Sequence, residues 1–322
     1  MILILDYGSQ YTELIARRIR ELNVYSEVVP HTLTADEIKK KNTNGIILSG
    51  GPSSVSDDDA PTIDSNIFDL GVPILGICYG MQLIATRLGG NVASSSTREY
   101  GASALDINEK SRLFNDVPKN INIWMSHSDS VKDVPNGFRS IASTTTCQVA
   151  SFENEEKQIF GIQFHPEVSH TDYGKNIIEN FVIHICKTEQ NWTSEVFVKH
   201  SIDRIREQIG SQHVLCALSG GVDSSVVAAL LHKAIGYQLT CMFIDTGYMR
   251  INEGERIKEV FEKQFNINLI YVNAQDDFFS KLNGVSEPEK KRKIIGNEFI
   301  SETLITHKAT GLKKKIKTKD RI

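Results

Sequence analysis

Three groups of residues in this chain have the types and spacing of chemistry rather than of packing. The first is Cys78, inside Gly76-Ile77-Cys78-Tyr79-Gly80. Apolar Val72-Pro73-Ile74-Leu75 precedes it, and Met-Gln-Leu-Ile-Ala-Thr-Arg-Leu follows with helical spacing and stops at Gly89-Gly90. A residue between glycines at a strand-to-helix turn has the geometry of a nucleophile elbow: the turn leaves no room for a Cβ at either flank, and the central side chain is pushed out at the sheet edge. A thiol there meets the positive end of a helix and is a candidate nucleophile. The ordinary alternative is a small buried hydrophobe. The second group is Phe164-His165-Pro166-Glu167, at the end of the alternating stretch Ile159-Phe160-Gly161-Ile162-Gln163. On an extended chain residues i and i+2 share a face, so the acid lies beside the imidazole and fixes its tautomer. A surface His-Glu pair is the plain alternative.

The third group is Ser219-Gly220-Gly221-Val222-Asp223-Ser224-Ser225, between strand-like His213-Val214-Leu215-Cys216-Ala217-Leu218 and a helix predicted over 226–235. Glycines let backbone wrap a phosphate, the serines add hydroxyl donors, and the helix start adds its dipole. There is no lysine, so this is not the GxxxxGK[ST] loop. Asp223 repels phosphate unless a cation bridges them, which points to ATP with Mg2+. A serine-capped turn is the alternative.

The elements that must hold these groups alternate strand and helix. Strands are expected at 2–5, 24–29 and 45–48, a helix at 11–22, and the elbow strand comes next. That pattern predicts a parallel sheet covered by helices, with ligands beyond the carboxyl ends of its strands. Ser49-Gly50-Gly51-Pro52-Ser53 falls on the same edge as Cys78, and Gly51 has no side chain to block an amide from an oxyanion; it also reads as a loop glycine. From 101 to 160 the pattern shifts to short strands, at 103–107, 121–125, 138–143 and 149–152. His127, in Trp124-Met125-Ser126-His127-Ser128-Asp129, reads first as a satisfied polar residue. A helix closes the region at 176–186, 187–193 is a polar linker, and 194–209 is an amphipathic helix. Beyond the third group, Thr240-Cys241-Met242-Phe243-Ile244-Asp245 and 267–272 are further strands around a charged helix at 252–265. This makes a second α/β domain.

The 322 residues suffice for two domains, with 40% hydrophobic and 24% charged residues. A net charge of -4 argues against a general nucleic-acid binder. Five scattered cysteines with no CxxC pair suggest a reducing compartment without disulfides or structural zinc. No apolar run approaches the ~18 residues of a membrane span, and Met-Ile-Leu-Ile-Leu-Asp is not a signal peptide. The expectation is a cytoplasmic protein.

These motifs carry a resemblance. Gly76-Ile77-Cys78-Tyr79-Gly80-Met81-Gln82 with Phe164-His165-Pro166-Glu167, supported by Ser49-Gly50-Gly51-Pro52 and the segment 124–129, resembles the class I (triad) glutamine amidotransferases over 1–186. The resemblance implies Cys78 as nucleophile, His165 as general base and acid, Glu167 as its orienter, the amides of Gly51 and Tyr79 as oxyanion hole, and Gln82 as a holder of glutamine. Ser219 to Ser225 resembles the pyrophosphatase loop of the N-type ATP pyrophosphatases, which implies ATP binding by Ser219, Gly220, Gly221, Val222, Asp223, Ser224 and Ser225, with Asp223 on Mg2+. Phe243 and Ile244 are then expected near adenine. The two together are similar to the glutamine-hydrolysing GMP synthase family, supported by Arg98-Glu99-Tyr100-Gly101, Asp245-Thr246-Gly247-Tyr248-Met249-Arg250 and Glu287-Pro288-Glu289-Lys290-Lys291-Arg292-Lys293-Ile294-Ile295-Gly296.

The expected fold class is therefore α/β, a flavodoxin-like amidotransferase domain at 1–188 followed by a Rossmann-like ATP pyrophosphatase domain at 189–300. The implied reaction uses glutamine, ATP and XMP to form GMP, AMP and pyrophosphate, with no membrane or nucleic-acid partner. The resemblance stops near Phe299, and 301–322 is expected to be a divergent tail, with six basic residues in Lys313-Lys314-Lys315-Ile316-Lys317-Thr318-Lys319-Asp320-Arg321. Family members are homodimers through a carboxy-terminal domain that is expected to be missing here, together with the XMP site. The alternatives are a remnant keeping glutaminase or ATP binding, or another ammonia-using adenylating enzyme such as an NAD synthase-like fusion.

Overall fold

Strand β1 (Ile2–Asp6) shows how the first sheet is built. Ile2 and Ile4 enter one hydrophobic core, Leu3 and Leu5 another, because successive side chains leave a strand on opposite faces. A strand apolar at every position needs helices on both faces, and a parallel sheet supplies them. The computed structural model describes residues 1–309. It divides into two units, Met1–Thr193 and a second beginning at Ser194.

The strands following β1 are β2 (Ser26–Pro30), β3 (Gly45–Leu48), β4 (Ile74–Ile77), β5 (Asn91–Ile107), β6 (Asn120–Asp133), β7 (Arg139–Ser143), β8 (Ser151–Asn154) and β9 (Ile159–Ile162). They form one sheet in the order β2-β1-β3-β4-β9-β8-β7-β5-β6. The first five in that order pair in parallel, and the remaining pairings are antiparallel. The α/β pattern thus holds, but the parallel sheet continues into an antiparallel extension. Two differences bear on the site. β5 and β6 are long, with a register shift between Ser94 and Glu99, where short strands were expected. β9 stops at Ile162, so His165 stands beyond the strand.

The second unit opens with the helix Ser194–Ile209. Strands β10 (Val214–Leu218), β11 (Leu239–Asp245) and β12 (Asn268–Asn273) form a parallel sheet in the order β10-β11-β12. The helix after β10 runs Val222–Ile235, four residues earlier than the spacing predicts, so Asp223, Ser224 and Ser225 lie in its first turn. The basic segment 313–321 lies outside the described residues. No helix among the described residues is long and apolar enough to cross a membrane.

Candidate active site

Cys78 sits between β4 and the helix Tyr79–Arg87 with φ 53° and ψ -106°, a backbone conformation that costs an L-residue of order 1–3 kcal/mol. Its surroundings impose it. The Cys78 N–H donates to the Ile162 carbonyl at 2.8 Å, and the Gly80 N–H donates to the Ser49 carbonyl at 3.1 Å. The flanking glycines are needed for space. A Cβ on Gly76 would lie 2.6 Å from the Gly80 carbonyl, and one on Gly80 would run into the Leu48 carbonyl. The positive φ falls on the cysteine itself.

Beyond β9 the chain bends, so the extended geometry expected for residues 163–167 is replaced by turns. The two side chains meet nevertheless: His165 Nδ1 is 2.8 Å from Glu167 Oε1, and both residues are buried. The bend is pinned from three elements. The His165 N–H donates to the Trp124 carbonyl at 3.1 Å, Thr171 Oγ1 donates to the His165 carbonyl at 2.6 Å, and Arg18 Nε donates to the Glu167 carbonyl at 2.9 Å. Tyr11 adds an edge-on ring contact at 5.2 Å.

Cys78 lies close enough to the imidazole to raise its affinity for a proton. Nδ1 is taken by Glu167, which leaves Nε2 as the ring's other polar atom. Gly50 closes the gap from one side, since a Cβ there would lie 3.2 Å from His165 Cε1 and 3.7 Å from Cys78 Cβ. Burial disfavours charge on the ring, but the nearby Cys78 and the hydrogen bond and charge of Glu167 outweigh it and push His165 up to about 10. Cys78 is only 5% exposed, yet its sulfur faces polar atoms: the Ser126 carbonyl and Gln163 Nε2, each at 3.6 Å. This is not the setting of an inert core thiol. Cys186 has that setting, and burial pushes its thiol and that of Cys147 up.

A Cβ on Gly51 would lie 2.7 Å from the Tyr7 carbonyl, so only glycine fits this approach to the elbow. The Tyr79 ring is structural: its hydroxyl donates to the Pro61 carbonyl at 2.5 Å and its face packs on Tyr7 at 5.4 Å. What Tyr79 offers the site is its amide, in the first turn of the helix. Gln82 is buried, and its Nε2 donates to the Asp129 carbonyl at 2.8 Å and to Gln163 Oε1 at 3.2 Å. His127 pairs with Glu99 at 3.3 Å and with the Asp129 carbonyl at 2.9 Å, the satisfied arrangement the sequence suggests. Burial lowers its affinity for a proton despite Glu99. Sequence reasoning passed over Gln163, whose available signal was its place two residues before His165.

In the second unit Gly220 has φ 81°, and Ser224 and Ser225 each donate a hydroxyl hydrogen bond back to the Gly221 carbonyl, at 3.0 and 2.9 Å. Val222 and Asp223 are exposed and Ser219 bonds Ser224 at 3.3 Å, so one loop and helix start gather all seven residues. Phe243 and Ile244 are fully buried, in different cores on the two faces of the sheet, and lie within its strand pairing. Among the described residues no group of three or more His, Cys, Asp or Glu is arranged to hold a metal ion. A cation at Asp223 would therefore draw most of its ligands from phosphate, which suits an ion that arrives with a nucleotide.

A family profile described as glutamine amidotransferase class-I matches residues 3–185, and one described as tRNA methyl transferase HUP domain matches residues 212–283. The chain is 54% identical over 300 residues to the glutamine-hydrolyzing GMP synthase of Acetivibrio thermocellus, covering 93% of this chain and 59% of that protein. It is 55% identical over 300 residues to the Staphylococcus carnosus enzyme of the same description, covering 93% and 58%. The chain thus spans 58 to 59% of the length of these curated relatives. A solved structure from Thermoplasma acidophilum, described as a GMP synthase subunit, is similar with a TM-score of 0.51 and 34% identity, covering 58% of this chain and 93% of that one.

Proposed function

The chain belongs to the class-I glutamine amidotransferase family, and on that premise we propose that it hydrolyses glutamine at Cys78 and supplies the ammonia to an ATP-dependent amidation of XMP, giving GMP, AMP and pyrophosphate. The observation that carries the reading is the convergence at the elbow. The His165 ring lies 2.8 Å from Glu167 Oε1, and the ring and Cys78 both border Gly50, where a Cβ would lie 3.2 Å from His165 Cε1 and 3.7 Å from Cys78 Cβ.

In this reading the sulfur attacks the side-chain amide carbon of glutamine, and the amides of Gly51 and Tyr79 receive the developing oxyanion. His165 carries the proton between the two partners that raise it and gives it to the departing nitrogen, so ammonia leaves and a thioester remains. The ring, now neutral, takes a proton from water, and hydroxide attack releases glutamate. Glu167 keeps Nδ1 engaged throughout, which fixes the ring and supports its charge. In the second unit the loop Ser219 to Ser225 would hold the phosphates of ATP while the nucleotide acceptor is adenylated and pyrophosphate leaves. Asp223 would hold Mg2+, which supplies charge neutralisation at the phosphates.

Two assays test the proposal on the whole chain. Cys78→Ala is expected to lower ammonia release from glutamine by more than about a thousandfold, the loss typical of removing a nucleophile. Ammonia release at the parental rate contradicts the glutaminase reading. Pyrophosphate release from ATP that depends on XMP, with ammonia supplied directly, tests the second half, and dependence on a different acceptor contradicts it.

A further inference from the structure

Besides His165, the Cys78 sulfur has a neighbour that the triad does not use. Gln163 is fully buried, its backbone N–H donates to the Ala150 carbonyl at 2.9 Å, and its side-chain Nε2 lies 3.6 Å from Cys78 Sγ. The orientation of this amide is dictated by a chain of partners. The Asp129 carbonyl can only accept, so it fixes the nitrogen of Gln82 toward itself at 2.8 Å. The same nitrogen donates its second hydrogen at 3.2 Å, so the Gln163 atom facing it must be the oxygen. The nitrogen of Gln163 is thereby turned onto the sulfur. The Asp129 carbonyl also faces His127 Nδ1 at 2.9 Å, and Ser54 Oγ donates to the Asp129 carboxylate at 2.5 Å, so the relay begins on a residue held at both ends.

We infer that Gln163 is a catalytic contact of the nucleophile, an amide donor that holds negative charge on the Cys78 sulfur, and that Gln82 is the positioning residue that aims it. The inference rests on Cys78 being the nucleophile. An N–H···S bond is stronger to a charged sulfur than to a neutral thiol, so a buried donor selects the reactive form. His165 supports the same charge from another direction and also moves the proton; Gln163, an amide, supports charge without taking part in proton transfer. The relay gives Gln82 a task in the enzyme before any substrate arrives.

The test is the rate at which iodoacetamide alkylates Cys78 in the full chain at pH 7, read by peptide mass spectrometry without glutamine. Gln163→Met keeps the volume and removes the donor; Gln163→Glu keeps the shape and sets an acceptor against the sulfur. The first is expected to slow alkylation about tenfold, the size of a hydrogen bond to a charged group, and the second by more. In denaturant all chains should react alike. Gln82→Met should slow the same reaction, which a residue that only held substrate would not do. Parental rates in the folded Gln163 variants overturn the inference. Should either variant fail to fold, side-chain amide NMR of the unsubstituted chain decides. Alkylation of Cys78 should move the Gln163 amide resonance, and a resonance that stays in place overturns the inference. A Cys78→Ala chain that still releases ammonia would instead refute the glutaminase reading and leave the contact itself standing.

Discussion

At the scale of single residues, the behaviour of His165 follows from its two partners. Because the folded protein binds the ring proton more tightly than the unfolded chain does, the stabilisation this supplies is fully present below pH ~6.5 and is lost as pH rises through about 10. The same loss should set the alkaline limb of the rate profile, since a neutral ring has no proton for the leaving nitrogen. Glu167→Gln removes one of the groups that raise the ring, so the alkaline limb should move to lower pH. A rate–pH profile checks this, and a limb that stays in place contradicts the role given to Glu167. The meeting of His165 with Glu167 was legible because the two stand two residues apart, although the chain there turns where an extended strand was expected. Gln163 was not, because its significance depends on Gln82 and Asp129, distant in sequence and brought together only by the fold. The pairing of His127 with Glu99 is the complementary case: a lone histidine is usually satisfied, and this one is.

At the scale of elements, the elbow works because β4 and the following helix meet with almost no space between them. Gly76→Ala forces a methyl group into the Gly80 backbone, and Gly80→Ala forces one into Leu48. Each is expected to cost about 1–3 kcal/mol, as overpacking does, and to lower ammonia release along with stability. Urea unfolding measures the first effect, and an unchanged midpoint for Gly80→Ala would mean that the turn relaxes. Strands β1, β3, β4 and β11 were readable from apolar runs because both of their faces are buried. β5 was not: its polar serines near residue 95 conceal a strand, and its pairing is set by β6 through a register shift that local spacing does not reveal. The end of β9 was misplaced for a related reason. The alternation continues to His165, but the chain is pulled off the sheet by bonds from Trp124, Thr171 and Arg18.

At the scale of the whole molecule, two α/β units each place one candidate site at the end of a parallel strand. The second site should be separable by mutation. Gly220 has φ 81° and a Cβ there would lie 3.2 Å from Ile257, so Gly220→Val should weaken ATP binding about tenfold or more. Binding titrations measure this, and unchanged affinity would remove the loop from the proposed nucleotide site. The order of strands and helices pointed to the parallel part of the first sheet and to the second sheet, but not to the antiparallel extension. The central proposal is that one thiol in this chain attacks glutamine. The most direct measurement is intact-mass and peptide analysis after exposure to a diazoketone analogue of glutamine. The expected result is one adduct per chain, on Cys78, prevented by excess glutamine. An adduct on another residue, or one that persists in Cys78→Ala, would contradict it.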